Sequence, residues 1–145
     1  AGSIDMVYEN PDGTLSIYDW KRSKEISMVN HFNKFAKNKI ICHFPDSNFW
    51  HYALQLNTYK KILEDKYDKI VDEMYLVCLH PNNENGSYQR IKVNDMTKEI
   101  TSLFKLRRKM LGHNVSDSEE EYENEPEEDI WKRGNSRCPI LPEEE

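Results

Sequence analysis

The chain has 145 residues, 37% of them hydrophobic and 32% charged, with a formal charge of −6 at pH 7. This balance fits one small folded domain with polar chain beside it; no run reaches the ~18 apolar residues of a membrane span, and no charged-then-apolar leader opens the sequence. Cys42, Cys78 and Cys138 stand 36 and 60 residues apart, neither an even disulfide set nor a paired metal-ligand spacing, so a reducing, intracellular setting is expected.

In chain order, residues 3–8 (Ser-Ile-Asp-Met-Val-Tyr) and 15–20 (Leu-Ser-Ile-Tyr-Asp-Trp) are β-rich runs. The Asp12-Gly13 pair between them marks a tight turn, so the two strands should pair antiparallel. Residues 23–45, rich in Lys, Asn, Phe and His, show weak periodicity and read as a long loop, a length that tends to be functional or mobile. Asp46, Ser47 and Asn48 can each cap a helix, after which Phe49, Tyr52, Ala53, Leu56, Tyr59 and Leu63 fall on one helical face, predicting a helix to about Asp65. Residues 74–79 are a six-residue apolar run suited to a strand buried on both faces. A turn at residues 82–86 leads into an alternating strand over 88–93. The spacing then predicts a last helix over 96–111 that buries Ile100, Leu103, Phe104, Met110 and Leu111 and exposes Lys105, Arg107, Arg108 and Lys109. The expected fold is α/β, a mixed sheet flanked by helices.

The end of the chain is different in kind. Residues 116–145 hold 12 acidic and 3 basic side chains, −9, which leaves residues 1–115 at +3. With few apolar residues besides Ile130, Trp131, Ile140 and Leu141, this stretch cannot bury enough surface to offset its ordering entropy, and reads as a disordered acidic tail. The expected division is a domain over 1–115 and a tail over 116–145.

Candidate chemistry gathers at the first hairpin. Asp5 falls within an apolar strand, and Asp19 and Lys21, two residues apart at the end of the next strand, share a face of the sheet. Two carboxylates on adjacent strands suit a hard cation such as Mg²⁺, which is held by one or two carboxylates with water and phosphate completing its shell. Spacing alone equally allows a salt bridge of Lys21 with Asp5 or Asp19, a poor source of stability if buried.

Gly2-Ser3-Ile4-Asp5, then Asp19-Trp20-Lys21, then Gln55-Leu56-Asn57-Thr58-Tyr59 together resemble the G-x-x-D, D-x-K and Q-x-x-x-Y pattern of the PD-(D/E)XK nucleases. The match is to the RecB-type exonuclease branch, which includes the mitochondrial genome maintenance exonucleases. The resemblance covers roughly residues 2–80. It implies a restriction-endonuclease-like fold and a Mg²⁺- or Mn²⁺-dependent DNA nuclease, most simply an exonuclease, that hydrolyses phosphodiester bonds with a metal-activated water. It implies that Asp5, Asp19 and the backbone carbonyl of Trp20 hold the metal, and that Lys21 orients the attacking water and stabilises charge at the phosphate. Gln55 and Tyr59, four apart on one helical face, would hold the Lys21 region or a DNA phosphate, with Tyr59 equally readable as a core residue.

The family also carries an acidic residue, and in many members a histidine, on a helix before the first catalytic strand, whereas this sequence opens directly on that strand. The expectation is therefore a domain short of those ligands, with a non-catalytic module that binds nucleic acid or a replication or recombination partner as the alternative. Substrate contact is expected from Arg22, Lys24, Lys34, Lys37 and Lys39, interleaved with Phe32, Phe35 and Phe44, a mixture suited to DNA phosphates and bases, single-stranded or at free ends. The same loop also reads as a solvated surface with aromatics tucked beneath it. No membrane partner is expected.

Overall fold

The Asp12-Gly13 turn closes as the sequence predicts. Gly13 takes φ +83°, a left-handed conformation that costs glycine little, and Asp12 Oδ1 accepts both the Thr14 amide (3.0 Å) and its hydroxyl (2.7 Å). These two bonds hold the Asp12 carboxyl below its usual range. Asn10 spans the turn from the other side, its Nδ2 donating to Thr14 Oγ1 (2.9 Å) and Ser16 Oγ (3.0 Å). The turn pairs β1 (Met6–Glu9) antiparallel with β2 (Leu15–Lys21), in a register that sets Met6 opposite Tyr18. The computed structural model describes residues 2–83 and 86–112, so the acidic segment 116–145 and its expected disorder lie outside the described residues.

After β2 the chain runs through a long connection with a single 3₁₀ turn (Lys39–Ile41) into α1 (Asn48–Tyr67), then β3 (Val71–Leu79), β4 (Tyr88–Lys92) and α2 (Thr97–Met110). The sheet order is β1-β2-β3-β4, with β2 and β3 parallel and both outer pairs antiparallel. The described residues are thus mixed α/β, with a four-stranded mixed sheet and two α-helices. No helix among the described residues is long and apolar enough to cross a membrane.

One core is shared by the sheet and both helices. Leu15 and Ile17 of β2, Met74 and Leu76 of β3, Phe49, Ala53 and Leu56 of α1, and Ile100 of α2 all belong to it. Side chains of the size of Ile17, Leu56 and Leu76, all but sealed from solvent, each contribute about 1.5–3 kcal/mol by burial. Since α1 packs on β3 and α2 packs on α1, both described helices lie on one face of the sheet. By strand alternation and register, Tyr18, Trp20, Tyr75 and Val77 point to the opposite face, where Tyr18 and Tyr75 stack at 5.2 Å.

Four further expectations change. The first strand begins at Met6, so Asp5 sits in the bend before it rather than inside it, and all four β1 residues are exposed. Residues 74–78 are buried throughout, as the apolar run predicts, but β3 starts three residues earlier at Val71. At the end of α2, Met110 and Leu111 are 69% and 57% exposed, because the helix runs past the edge of the core that Ile100 anchors. Helix α1 outlasts its predicted end and stops where Asp68 takes φ +53° with its amide on the Leu63 carbonyl, a left-handed cap that Asp tolerates.

The long connection is fastened rather than loose. Asn48, at the start of α1, accepts from the Ser27 amide (2.8 Å) and donates to the Glu25 carbonyl (2.9 Å). Trp50 Nε1 donates to the Met28 carbonyl (3.0 Å) and Asn30 Nδ2 to the Asp46 carbonyl (2.5 Å). A short antiparallel bridge joins Phe35 to Pro45. Ser47 is the N-cap residue of α1 but makes no side-chain capping bond; the polar residues before the helix tie down the loop instead.

The entry to α2 depends on a residue 37 positions upstream. Buried Asn57 donates to the Ala53 (2.9 Å) and Asn94 (3.0 Å) carbonyls and accepts the Met96 amide (2.8 Å). Replacement by the similarly sized leucine leaves the Met96 amide and Asn94 carbonyl unpaired. Asn57→Leu should lower stability by about 2–4 kcal/mol, measured by urea denaturation; a loss below ~1 kcal/mol would show that water replaces the network.

Candidate active site

The hairpin register and the alternation of β2 decide what meets at the sheet's end. Ile17, Asp19 and Lys21 share the face that α1 covers, so Asp19 is carried into the domain rather than out to solvent. It is only 3% exposed. Lys21 Nζ lies 2.5 Å from Asp19 Oδ2, yet that buried oxygen has no hydrogen bond of acceptable geometry; the contact is an ion pair that leaves the oxygen's lone pairs poorly used. Burial pushes the Asp19 carboxyl above its ordinary range, the close Lys21 ammonium opposes the shift, and the nearby Asp5 carboxylate adds to it. A carboxylate still raised beside its own lysine is under-compensated, and a further cation at that point would relieve it.

Asp5 closes the same corner from the bend before β1. Its Oδ2 accepts the Trp20 backbone amide at 2.8 Å, which holds the exposed carboxylate against the backbone between Asp19 and Lys21. The Trp20 ring, 43% exposed, points away to the opposite face of the sheet.

The third contribution comes from α1. Gln55 Oε1 accepts from Lys21 Nζ (3.2 Å), and Gln55 Nε2 donates to the Tyr59 hydroxyl (3.0 Å). The Lys21 ammonium also stands 4.3 Å above the centre of the Tyr52 ring, a cation–π contact. Gly2 packs so closely on Tyr59 that a Cβ there would come within van der Waals contact of the ring and clash with its hydroxyl. Asp5, Asp19, Lys21, Gln55 and Tyr59, drawn from three segments of the sequence, thus form one connected set, with Gly2 against it.

The residues expected to contact substrate are arranged otherwise. Arg22, Lys24, Lys34, Lys37 and Lys39 are all exposed along the connection between β2 and α1, and Lys34 Nζ lies 5.9 Å from the Phe32 ring centre. Phe32 and Phe35 are 82% and 52% exposed, whereas Phe44 is tucked in against Trp50 with ring centres 4.4 Å apart. Two phenylalanines of this loop thus face solvent and one packs beneath.

Sequence reasoning missed Tyr52, which it placed only in the apolar stripe of α1. Its position three residues before Gln55, on the same helical face, was the available signal. Among the described residues no group of three or more His, Cys, Asp and Glu side chains is placed to hold a metal ion. Asp5 and Asp19 are two carboxylates, enough for an ion such as Mg²⁺ that keeps most of its shell as water and phosphate, and too few for a closed all-protein site. Compared with known proteins, the chain matches no family model, no curated protein and no solved structure.

The buried, under-compensated carboxylate makes a direct prediction. In EDTA, Asp19→Asn should unfold at the same temperature as the parent chain or higher, because the amide keeps the shape and removes a poorly solvated charge. Added Mn²⁺ should raise the Tm of the parent chain alone. A Tm that rises equally in both would place the ion elsewhere.

Proposed function

We propose that the chain is a metal-dependent deoxyribonuclease, acting on single strands or free ends, built on a restriction-endonuclease-like variant of the mixed sheet. The observation that carries the reading is the convergence of Asp5, Asp19, Lys21 and Gln55 at one sheet end, with Asp19 buried against the Lys21 ammonium. A carboxylate pair beside a held lysine, bordered by an exposed cationic loop, suits metal-assisted phosphodiester hydrolysis, whereas a buried pair of this kind contributes little to folding.

Mg²⁺ or Mn²⁺ would be held by Asp19 and by the Asp5 oxygen that the Trp20 amide leaves unengaged, with the Trp20 carbonyl as the implied third donor. There it would supply charge neutralisation and acidify a water at neutral pH. Lys21 stands beside the carboxylates, placed to orient the attacking water and to offset charge that develops on the phosphate. Gln55 fixes the lysine by accepting one of its protons, Tyr52 covers another side of the ammonium, and Tyr59 anchors Gln55 from below. Because these supports act before substrate arrives, little reorganisation is left for the reaction itself.

The full chain incubated with end-labelled single- and double-stranded DNA should degrade it with Mg²⁺ or Mn²⁺ and leave it intact in EDTA. Asp19→Ala and Lys21→Ala should each reduce the rate by at least about 10²-fold, with Gln55→Ala losing less because it acts through Lys21. Retained activity in either of the first two variants removes the assignment. One observation favours a second reading: only two carboxylates meet here, with no third metal-binding side chain among the described residues. A binding module of that kind would show salt-sensitive DNA binding without turnover.

A further inference from the structure

Beside the carboxylate corner, under the connection between β2 and α1, lies a cavity of about 360 Å³. Its walls are mainly aromatic and aliphatic: Phe35, Phe44, Trp50 and Leu54 among them. Phe44 and Trp50 lie stacked with planes 21° apart and centres at 4.4 Å, a flat double surface. Phe35 is held at the cavity by its bridge to Pro45 and by the Ala36 amide on the Phe44 carbonyl (3.0 Å), yet half of it remains exposed. A side chain fixed by its backbone but left without a partner over its ring is a surface on which something flat can lie.

The polar groups at the cavity restrict what that is. Lys37 lines it, with Lys34 and Lys39 exposed on the same segment. The acid in the lining, Asp46, is occupied by His51 Nε2 at 2.7 Å. The walls are therefore aromatic, with one lysine among them to meet a phosphate. The cavity volume is at the lower end for small-molecule sites, enough for one flat heterocycle.

Its position relates it to the proposed catalytic corner. His51 and Leu54 line the cavity from α1, and Gln55, which holds Lys21, is four residues after His51 and next to Leu54. Cavity and corner therefore share α1 as a common support.

We propose that this cavity is a nucleobase subsite: it takes one unstacked base of a single-stranded nucleic acid whose adjacent phosphate lies at Asp5, Asp19 and Lys21, with the base against Phe35 and the Phe44–Trp50 stack. The inference rests on the nuclease reading for the position of the phosphate, and adds that the substrate strand is single and is gripped by a base as well as by its charges. Stacking of this type tolerates any base, since each has a π-face, so no sequence preference is expected.

The test is the affinity of the full chain, in EDTA to prevent turnover, for a short oligothymidylate and for an oligomer of the same length with abasic sugars throughout. The parent chain should bind the thymidylate roughly tenfold more tightly. Phe35→Ala should erase that difference while leaving circular dichroism and Tm unchanged, Phe35→Tyr should keep it, and Tyr88→Ala, removing an exposed ring on β4 outside the cavity lining, should also keep it. Salt-sensitive binding of both oligomers with equal affinity, or a base-dependent gap that survives Phe35→Ala or disappears in Tyr88→Ala, overturns the subsite while the catalytic reading stands. Binding of neither oligomer overturns both.

Discussion

The parallel pairing of β2 with β3 is the constraint from which the rest of the molecule follows. Parallel neighbours cannot be joined by a hairpin, so the chain must cross over between them, and here it does so through α1. Once α1 lies over the β2–β3 pair, one face of β2 is buried beneath a helix along its length. Ile17 on that face becomes core, and Asp19, two residues on, becomes a carboxylate 3% exposed. Lys21, two residues further, emerges where the first turns of α1 pass, which is why a strand lysine finds a glutamine 34 residues away. The outer strands add by antiparallel pairing and do not alter this geometry.

The corner that results is electrostatically expensive. Asp19 is desolvated, its lysine is close but poorly aligned for a hydrogen bond, and Asp5 brings a second negative charge nearby. Hydrophobic residues in the same places would stabilise the fold at least as well. Strain of this kind concentrates at functional sites, where perturbed carboxyls and specific charge partners meet near an opening to solvent. The surrounding groups reduce the freedom of Lys21 more than they reduce the cost of Asp19: Gln55 accepts from the ammonium, the Tyr52 ring lies under it, and Tyr59 braces Gln55.

The connection from β2 to α1 is the other element that the core alone does not explain. Its length and composition would suit a mobile loop, yet Asn30, Asn48 and Trp50 bind its backbone to the head of α1. The same bonds leave Phe35 and the lysines outward while Phe44 and Trp50 turn in. An aromatic-walled cavity is therefore joined to the carboxylate corner through α1, and a ligand reaching both would meet two preformed surfaces.

Much of this was written locally. Asp12-Gly13 specified the hairpin, the apolar stripe from Phe49 to Leu63 specified α1, and the run from Met74 to Leu79 specified a buried strand, because turn chemistry and hydrophobic period act over a few residues. Strand placement likewise marked Asp5, Asp19 and Lys21 as a candidate corner, and the motif resemblance added Gln55 and Tyr59. Other features have no local signature. That Asn57 secures the entry to α2, that both helices share one face, that Asp5 stands off its strand, that Tyr52 lies under Lys21 and that the loop is tied down by Asn30, Asn48 and Trp50 all depend on which surfaces come together. Periodicity tells a residue which way to face; only packing decides what it faces, and at Asp19 that difference separates a surface salt bridge from a buried carboxylate.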